Sequence, residues 1–282
     1  MSTGAAMPLP PSHRFRSLFL SDLHMGAVGC RIDAILAFLR CHSADHIYLV
    51  GDILDLWHPL RLVWSEKHEE IIALLRQRVK DGAEVFYLVG NHDAILLNDV
   101  ARKEVGLDFV SVLTQLTHDA ADGRRYLVLH GDAVDARWLR WHFCTRLGSR
   151  IDGQLRAFDA WLRRLRGRVV PEEGRSAIAI VLGWVNDLIY AGQAHEQRLV
   201  ELARQSGHHG VICGHFHIAT LHEDHGIIYA NCGDWVDSFT ALVETDAGTL
   251  RLIDGLAATS SSVVEITEAA PQHARASSEG WQ

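Results

Sequence analysis

The chain has 282 residues, of which 48% are hydrophobic and 22% are charged, and its formal net charge is −8. These values are typical of a soluble globular protein, and the negative charge argues against a general polyanion binder. The chain contains no run of 18 or more apolar residues, which excludes a membrane-spanning helix.

The cysteines and the N-terminus indicate a cellular compartment. The five cysteines are odd in number and include no C-x-x-C pair, which argues against a disulfide framework and against a zinc ribbon. Residues 1–12 contain no apolar segment of the signal-peptide type. We therefore expect a cytoplasmic protein with reduced thiols.

Short apolar runs alternate with helical patterns along the first two thirds of the chain. One predicted helix covers Ile32–Leu39, and Ser65 is placed to cap a second helix that runs to Lys80. The predicted strands are Phe15–Leu20, Ile47–Val50, Glu84–Val89, Tyr126–His130, Val211–Cys213, Ile227–Asn231, Ala241–Glu244 and Thr249–Ile253. The alternation predicts βαβ units, and the strand-rich end predicts a mixed sheet or a second sheet.

Two segments depart from this alternation. Within 134–205, apolar residues such as Ile151, Leu155 and Phe158 fall at helical spacing, so we predict a helical insertion between two sheet strands. From residue 256 to the end at 282, Ser, Ala, Thr and Glu dominate without a period, which predicts a disordered tail. The expected folded domain therefore covers 13–255.

Five clusters of potential metal ligands follow predicted strands. They are Ser21-Asp22-Leu23-His24, Gly51-Asp52, Gly90-Asn91-His92-Asp93, His130-Gly131-Asp132 and Gly214-His215-Phe216-His217. Ligands of open α/β sheets bind beyond the carboxyl ends of the strands, so the five clusters are expected to build one site. The glycines are expected to let the backbone turn sharply, so that the next side chain faces the ligand.

The number and type of these side chains indicate two metal ions. Three or four ligands saturate one ion, and paired hydrolytic ions share ligands across about 3.5–4 Å. Asp52, which is central and alone in its cluster, is the predicted bridge. An asparagine ligand argues against a thiolate-type zinc site. The candidate ligands are Asp22, His24, Asp52, Asn91, His130, His215 and His217.

The ordered motifs SDLH, GD, GNHD, HGD and GHFH resemble the signature of the calcineurin-like metallophosphoesterase superfamily. The resemblance implies an α/β fold, a four-layer αββα sandwich with the insertion as a helical lid. It also implies a metal-dependent hydrolase of phosphoric esters or anhydrides. The implied ligands of one ion are Asp22, His24, Asp52 and His217, and those of the other are Asp52, Asn91, His130 and His215.

The same resemblance implies catalytic roles within GNHD. His92 is the implied contact to the phosphoryl oxygens or to the leaving group, either as a general acid or as an electrostatic clamp. Asp93 is expected to orient His92, and Asn91 is expected to serve the reaction as well as the metal.

Further features resemble one group of that superfamily, the UDP-2,3-diacylglucosamine pyrophosphatases. These features are GDILDLW, the HGD triplet, the insertion and the ending NCGDWVDSFTALVE, and the resemblance covers 15–253. It implies hydrolysis of a UDP-linked diacyl sugar to UMP and the lipid sugar 1-phosphate during lipid A synthesis. Mn²⁺ is the implied ion, with iron or zinc as alternatives. Well-known members of the group carry GNRD where this chain has GNHD.

Alternatives remain open at this point. The substrate could instead be a soluble nucleotide or phosphoprotein, and a non-catalytic scaffold is disfavoured because all four ligand histidines and His92 are present. The insertion is either a solvated amphipathic cap or a lid with peripheral contact to the inner membrane. Its ten arginines against four acidic residues between Arg137 and Arg175 fit both interpretations. No nucleic-acid partner is expected, and the oligomeric state is left open.

Five other residues near the motifs have weaker signals. Asp132 and Asp234 either support the site from behind the ligands or cap their loops. Trp235 and Cys213 are expected to pack in the core, as is Trp57.

Overall fold

The computed structural model describes residues 13–27, 29–56, 64–134 and 194–256. The predicted insertion, apart from its two ends, and the predicted tail after residue 256 lie outside the described residues. The chain divides into two compact units, of which the first comprises Met1–Gly131 with Val200–Gln282 and the second comprises Asp132–Leu199. Both sheets and all the candidate ligands belong to the first unit.

The first sheet has six strands in the order β11-β10-β1-β2-β3-β4. Strands β1 to β4 pair in parallel, whereas β10 pairs antiparallel with both β1 and β11. The strands are β1 (His13–Leu20), β2 (His42–Val50), β3 (Glu84–Leu88), β4 (Ser111–Leu113), β10 (Thr240–Glu244) and β11 (Leu250–Asp254).

The second sheet has five strands in the order β5-β6-β7-β9-β8. Its three central strands, β6, β7 and β9, are parallel, and antiparallel strands β5 and β8 form the edges. The strands are β5 (Gln115–Asp119), β6 (Arg125–Leu129), β7 (Gly210–Cys213), β8 (Thr220–His222) and β9 (Ile228–Asn231).

The helices lie between strands. They are α1 (Ile32–Cys41), α2 (Glu66–Lys80), the short α3 (Asp99–Glu104) and α4 at 194–205. Ser65 precedes α2 as predicted, and its backbone N–H donates to Nδ1 of His68 at 3.1 Å. This bond satisfies a donor at the helix start, in the manner of a capping box with histidine in the third position.

The core lies in two layers on either side of the first sheet. Leu18 and Leu20 of β1 face the helices and pack in a cluster with Ile35 of α1 and Ile71 of α2. Phe19, between them in sequence, faces the other way, into a cluster that includes residues of the second sheet. Because alternate residues of a strand point to opposite faces, a strand buried on both faces is apolar throughout.

The described contacts define a helical layer and two mixed sheets. This arrangement agrees with the α/β fold that the motifs imply, and it accounts for three of the four expected layers. The lid lies outside the described residues. Within the described part of the chain, no helix combines the length and the apolar character needed to cross a bilayer.

All eight predicted strands are present, with ends shifted by up to five residues. The largest shift is in β2, which begins at His42 because its first residues pair in register with His13, Arg14 and Phe15 of β1. Three strands are not predicted from the sequence, namely β4, β5 and β8. Each is at the edge of a sheet and is too short or too polar to show an apolar pattern.

A buried polar network joins the two sheets. Oε2 of Glu244 accepts a hydrogen bond from Ser17 Oγ at 2.6 Å and lies 2.9 Å from His118 Nε2. The opposite ring atom of His118, Nδ1, lies 2.8 Å from Oη of Tyr48. Burial raises the pKa of Glu244, but the contacts with His118 and Ser17 outweigh burial and lower that pKa overall.

Candidate metal centre

The candidate ligands follow strands of both sheets. Asp22 and Asp52 stand just beyond the ends of β1 and β2, and Asn91 lies beyond β3 in the same sheet. His130 and His215 follow β6 and β7 in the second sheet. The site is therefore at the carboxyl edges of parallel strands, as the sequence predicts.

The two loops after β1 and β2 run side by side. His24 N donates to Asp52 O at 2.9 Å, and Met25 N donates to Ile53 O at 2.9 Å. These bonds continue the parallel pairing past the ends of the strands. They hold the ligands of the SDLH and GD motifs at a fixed separation.

The ligating atoms form three overlapping groups, in each of which the atoms lie within 4.8 Å of one another. The groups are Asp22 with His24 and His217, His24 with Asp52 and His92, and Asp52 with His130 and His215. The structure thus brings six of the seven predicted ligands, together with His92, into one continuous cluster. The carboxylate of Asp52 belongs to two of the groups.

Asp22 is as central as Asp52. Its Oδ1 atom lies 3.2 Å from His217 Nε2, 3.7 Å from His24 Nε2 and 3.4 Å from His130 Nε2. Oδ2 of Asp52 lies 3.6 Å from the same His130 nitrogen. The sequence singles out Asp52 as the central carboxylate, whereas the structure places both carboxylates between the histidines.

Each carboxylate uses one oxygen for the scaffold and turns the other toward the histidines. Oδ2 of Asp22 accepts Ser21 Oγ at 2.6 Å and the backbone N–H of His215 at 2.9 Å. Oδ1 of Asp52 accepts the backbone N–H of His92 at 2.8 Å. Burial raises the pKa of Asp22, but hydrogen bonding to His130 and His217 outweighs burial and holds that pKa well below its ordinary value.

The side-chain oxygen of Asn91 indicates that the site suits a cation. This oxygen is buried and accepts no hydrogen bond from the described residues. A buried oxygen without a partner costs about 1–3 kcal/mol, so a cation that binds it would remove a real penalty. The donor set of imidazole nitrogens with carboxylate and amide oxygens fits divalent manganese, iron or zinc.

Five of the seven candidate ligands have left-handed backbone conformations. The φ angles are 52° at Asp22, 45° at His24, 52° at Asp52, 78° at His215 and 57° at His217. Each such conformation at a non-glycine residue costs on the order of 1–3 kcal/mol. The surrounding structure must compensate for this strain, and its concentration on these residues is typical of a functional site.

The glycines of the motifs act in two different ways. Gly51 has a φ of +77°, which agrees with the expected sharp turn. Gly90 and Gly214 lack a positive φ, and close approach of neighbouring side chains explains why glycine stands at both positions. A Cβ atom on Gly90 would lie 2.2 Å from Oδ1 of Asp52, and one on Gly214 would lie 1.8 Å from Ser21 Oγ.

Asp55, rather than Asp93, is the carboxylate that holds the ring of His92. Oδ1 of Asp55 lies 3.1 Å from His92 Nδ1, and His92 Nε2 faces the cluster at 3.9 Å from Asp52 Oδ2. Burial lowers the pKa of His92, but the contact with Asp55 and the charge of Asp52 outweigh burial and raise it. Sequence reasoning missed Asp55, although the spacing Gly51-Asp52-Ile53-Leu54-Asp55 placed it beside the GD motif.

Asp93 instead supports the backbone of the loops that contain the ligands. Its carboxylate accepts the backbone N–H groups of Gly90 and Ile53 at 2.7 and 2.8 Å and the hydroxyl of Tyr87 at 2.6 Å. The expected orienting role is therefore corrected, because these bonds direct the carboxylate toward the backbone of both ligand loops. Burial and the charge of Asp52 raise the pKa of Asp93 to about 6.

The remaining residues of interest have clear positions. Trp235 and Cys213 are fully buried, which confirms the prediction that they pack in the core. Asp132 begins a short 3₁₀ helix, Asp132–Val134. Asp234 is buried beside His217. Trp57 lies outside the described residues.

Comparison with known protein families decides the family. The profile described as calcineurin-like phosphoesterase matches residues 15–219, which are well over half of the chain. The chain belongs to this family. It is therefore a metallophosphoesterase whose clustered ligands form a plausible dimetal site.

The individual relatives of this calcineurin-like phosphoesterase share about a quarter of their residues with it. A UDP-2,3-diacylglucosamine hydrolase of Neisseria gonorrhoeae is 25% identical over 82% of this chain and 94% of the relative. One of Ralstonia nicotianae is 26% identical over 83% of this chain and 88% of the relative. Among solved structures, an archaeal phosphodiesterase matches with a TM-score of 0.42 and 14% identity, covering 84% of this chain and 98% of that structure.

Proposed function

We propose that this phosphoesterase hydrolyses the diphosphate of UDP-2,3-diacylglucosamine or of a closely related sugar nucleotide, releasing UMP and a sugar 1-phosphate. The observation that carries the substrate class is the match to UDP-2,3-diacylglucosamine hydrolases over about nine tenths of their length. The site supports the reaction class, because its histidines and carboxylates converge as a pair of divalent ions requires.

The residues would divide between two ions as the family motifs imply. Asp22, His24 and His217 would hold one ion, and His130, His215 and Asn91 would hold the other, with Asp52 shared. When bound, the ions supply positive charge at the phosphoryl oxygens, where negative charge develops during hydrolysis. Manganese is the proposed ion.

His92 would act on the phosphoryl group from the edge of this cluster. Asp55 fixes the ring through Nδ1, so Nε2 is the atom directed toward the ligands. The raised pKa of His92 favours the imidazolium form, which donates a hydrogen bond to an anionic oxygen. A phosphate leaving group, with a second pKa of about 6, needs less proton transfer than an alkoxide, so clamping is the favoured role on a diphosphate.

A soluble phosphodiester or phosphomonoester is the second candidate substrate, and GNHD favours it. The GNHD motif, with His92, is the general superfamily pattern, whereas the well-known lipid A enzymes carry GNRD at this point. A lid formed by 134–205 and a peripheral membrane contact belong to the first proposal and rest on the sequence alone.

The test is a direct assay on the purified chain with Mn²⁺. UDP-2,3-diacylglucosamine, UDP-N-acetylglucosamine and an aryl phosphodiester are supplied in parallel, and Asp52→Ala is the blank. Release of UMP from the diacylated substrate alone would support the first proposal. Cleavage of the aryl phosphodiester without UMP release would support the second. Full activity of Asp52→Ala would contradict the metal-site assignment itself.

A further inference from the structure

Asp234 is a fully buried carboxylate in the loop between β9 and β10. Its Oδ1 atom accepts the backbone N–H groups of Val236, Asp237 and Ser238 at 2.7, 2.6 and 3.1 Å. Three bonds to one oxygen hold the carboxylate in a single orientation. The other oxygen, Oδ2, is buried and accepts no hydrogen bond from the described residues.

Oδ2 of Asp234 faces a candidate metal ligand. It lies 3.5 Å from Nδ1 of His217, just beyond normal hydrogen-bond length. The opposite ring atom of His217, Nε2, lies 3.2 Å from Oδ1 of Asp22 inside the ligand cluster. The imidazole of His217 therefore has one nitrogen directed toward the cluster and the other toward a buried carboxylate oxygen that accepts no hydrogen bond within the described part of the chain.

The loop that contains Asp234 is tied to the backbone of both ligand loops. Trp235 N donates to Asp22 O at 3.1 Å, and Asn231 Nδ2 donates to Gly214 O at 2.9 Å. The backbone N–H of Asp234 itself donates to Ser238 Oγ at 2.8 Å. Because these bonds fix the loop relative to SDLH and GHFH, Oδ2 has little freedom to turn toward any other donor.

We propose that Asp234 is a positioning residue, which accepts a hydrogen bond from Nδ1–H of His217 and so keeps Nε2 available for a divalent ion. A neutral imidazole carries its proton on one nitrogen only, so a carboxylate at Nδ1 selects the tautomer with a free lone pair on Nε2. The inference rests on the proposed metal-dependent function.

Asp234→Asn tests this assignment sharply. The amide oxygen can still accept the three backbone N–H groups, so the loop should keep its structure. The amide nitrogen then faces His217 and donates where the carboxylate accepted, which favours the wrong tautomer. We expect one of two Mn²⁺ ions to bind about 10- to 100-fold more weakly, as is typical when such a partner of a ligand is lost.

The measurement is a titration of the metal-depleted full-length chain with Mn²⁺, in which free Mn²⁺ is followed by electron paramagnetic resonance. Asp237→Asn is the matched control, because it makes the same charge change on an exposed side chain of the same loop. This control should bind both ions as the wild type does. Wild-type affinity for both ions in Asp234→Asn would overturn the proposal.

A second background separates positioning from general damage to the fold. In His217→Ala, the substitution Asp234→Asn should weaken Mn²⁺ binding no further, because the ring that Asp234 holds is gone. An equal loss in both backgrounds would overturn the proposal. Two bound Mn²⁺ ions without UMP release by the wild type would refute the proposed substrate while leaving the assignment of Asp234 intact.

Discussion

Gly90→Ala is the most informative single change in the metal centre. The added Cβ would lie 2.2 Å from Asp52 Oδ1 and 2.6 Å from His130 Nδ1, whereas ordinary contacts begin at 3.4 Å. The oxygen must therefore retreat by about 1.2 Å, the difference between those two distances for Asp52. It accepts the backbone N–H of His92 at 2.8 Å, so a shift of this size breaks that bond.

The expected cost follows from these two effects. Overpacking costs about 1–3 kcal/mol, and loss of a hydrogen bond to a charged acceptor costs about 1.5–3 kcal/mol. We therefore expect the free energy of unfolding of the metal-free chain to fall by about 3 kcal/mol or more. Because Asp52 belongs to two ligand groups, displacement of its carboxylate should also weaken Mn²⁺ binding.

Denaturant unfolding of the metal-depleted chain and Mn²⁺ titration measure both effects. Gly29→Ala is the matched control, because a Cβ there meets no atom of the described residues within 4 Å and its φ lies outside the left-handed region. The control should differ from wild type by less than about 1 kcal/mol. If Gly90→Ala matches this control in stability and in Mn²⁺ affinity, the steric argument is refuted.

Three further predictions follow from the described contacts. Asp55→Asn should lower kcat about 10- to 100-fold at unchanged Mn²⁺ content, because Asp55 holds the ring of His92 rather than a metal. Asp45→Asn is the control, because Asp45 is a half-exposed carboxylate of β2 that pairs with Arg14. A loss of bound Mn²⁺ in Asp55→Asn would contradict this view. Glu244→Gln should cost about 1–3 kcal/mol of stability at pH 7 in urea unfolding. The pKa of Glu244 is lowered in the folded state, so its contribution is full above the unfolded pKa and declines as the pH falls through the folded value. The difference from wild type should therefore shrink in acid, and a difference that grows would refute the sign. Removal of metal with a chelator should lower the melting temperature reversibly. Mn²⁺ at 100 times its Kd should restore about 2.7 kcal/mol of unfolding free energy for each site. An unchanged melting temperature would count against a metal-stabilised fold.

The sequence predicts the central strands and the ligand residues for a physical reason. Stretches of strand buried on both faces, such as Leu18–Leu20 of β1 and Ile47–Val50 of β2, are apolar throughout, and the polar cluster that follows each of them is visible without coordinates. The order of the motifs therefore locates Asp22, Asp52 and His130 at the ends of strands. Edge strands β4, β5 and β8 escape prediction because their pairing, rather than their composition, makes them strands.

Contacts behind the ligands depend on where the chain returns in space. Asp55 lies 37 residues from His92, and Asp234 lies 17 residues from His217. Asp93, the nearest carboxylate to His92 in sequence, instead bonds to Gly90 and Ile53. Neighbours in sequence therefore do not predict which carboxylate orients which ring.

The amino-acid sequence by itself determined the α/β class, the strands that end in ligands and the set of side chains that can hold two cations. These follow from local patterns, because burial and strand ends leave a mark on neighbouring residues. The tertiary structure alone decided the left-handed backbone of the ligands, the close approach to Gly90 and Gly214, and the partners of His92 and His217. Those features arise where separate loops meet, and the packing of two sheets, rather than any local propensity, sets the distances between them.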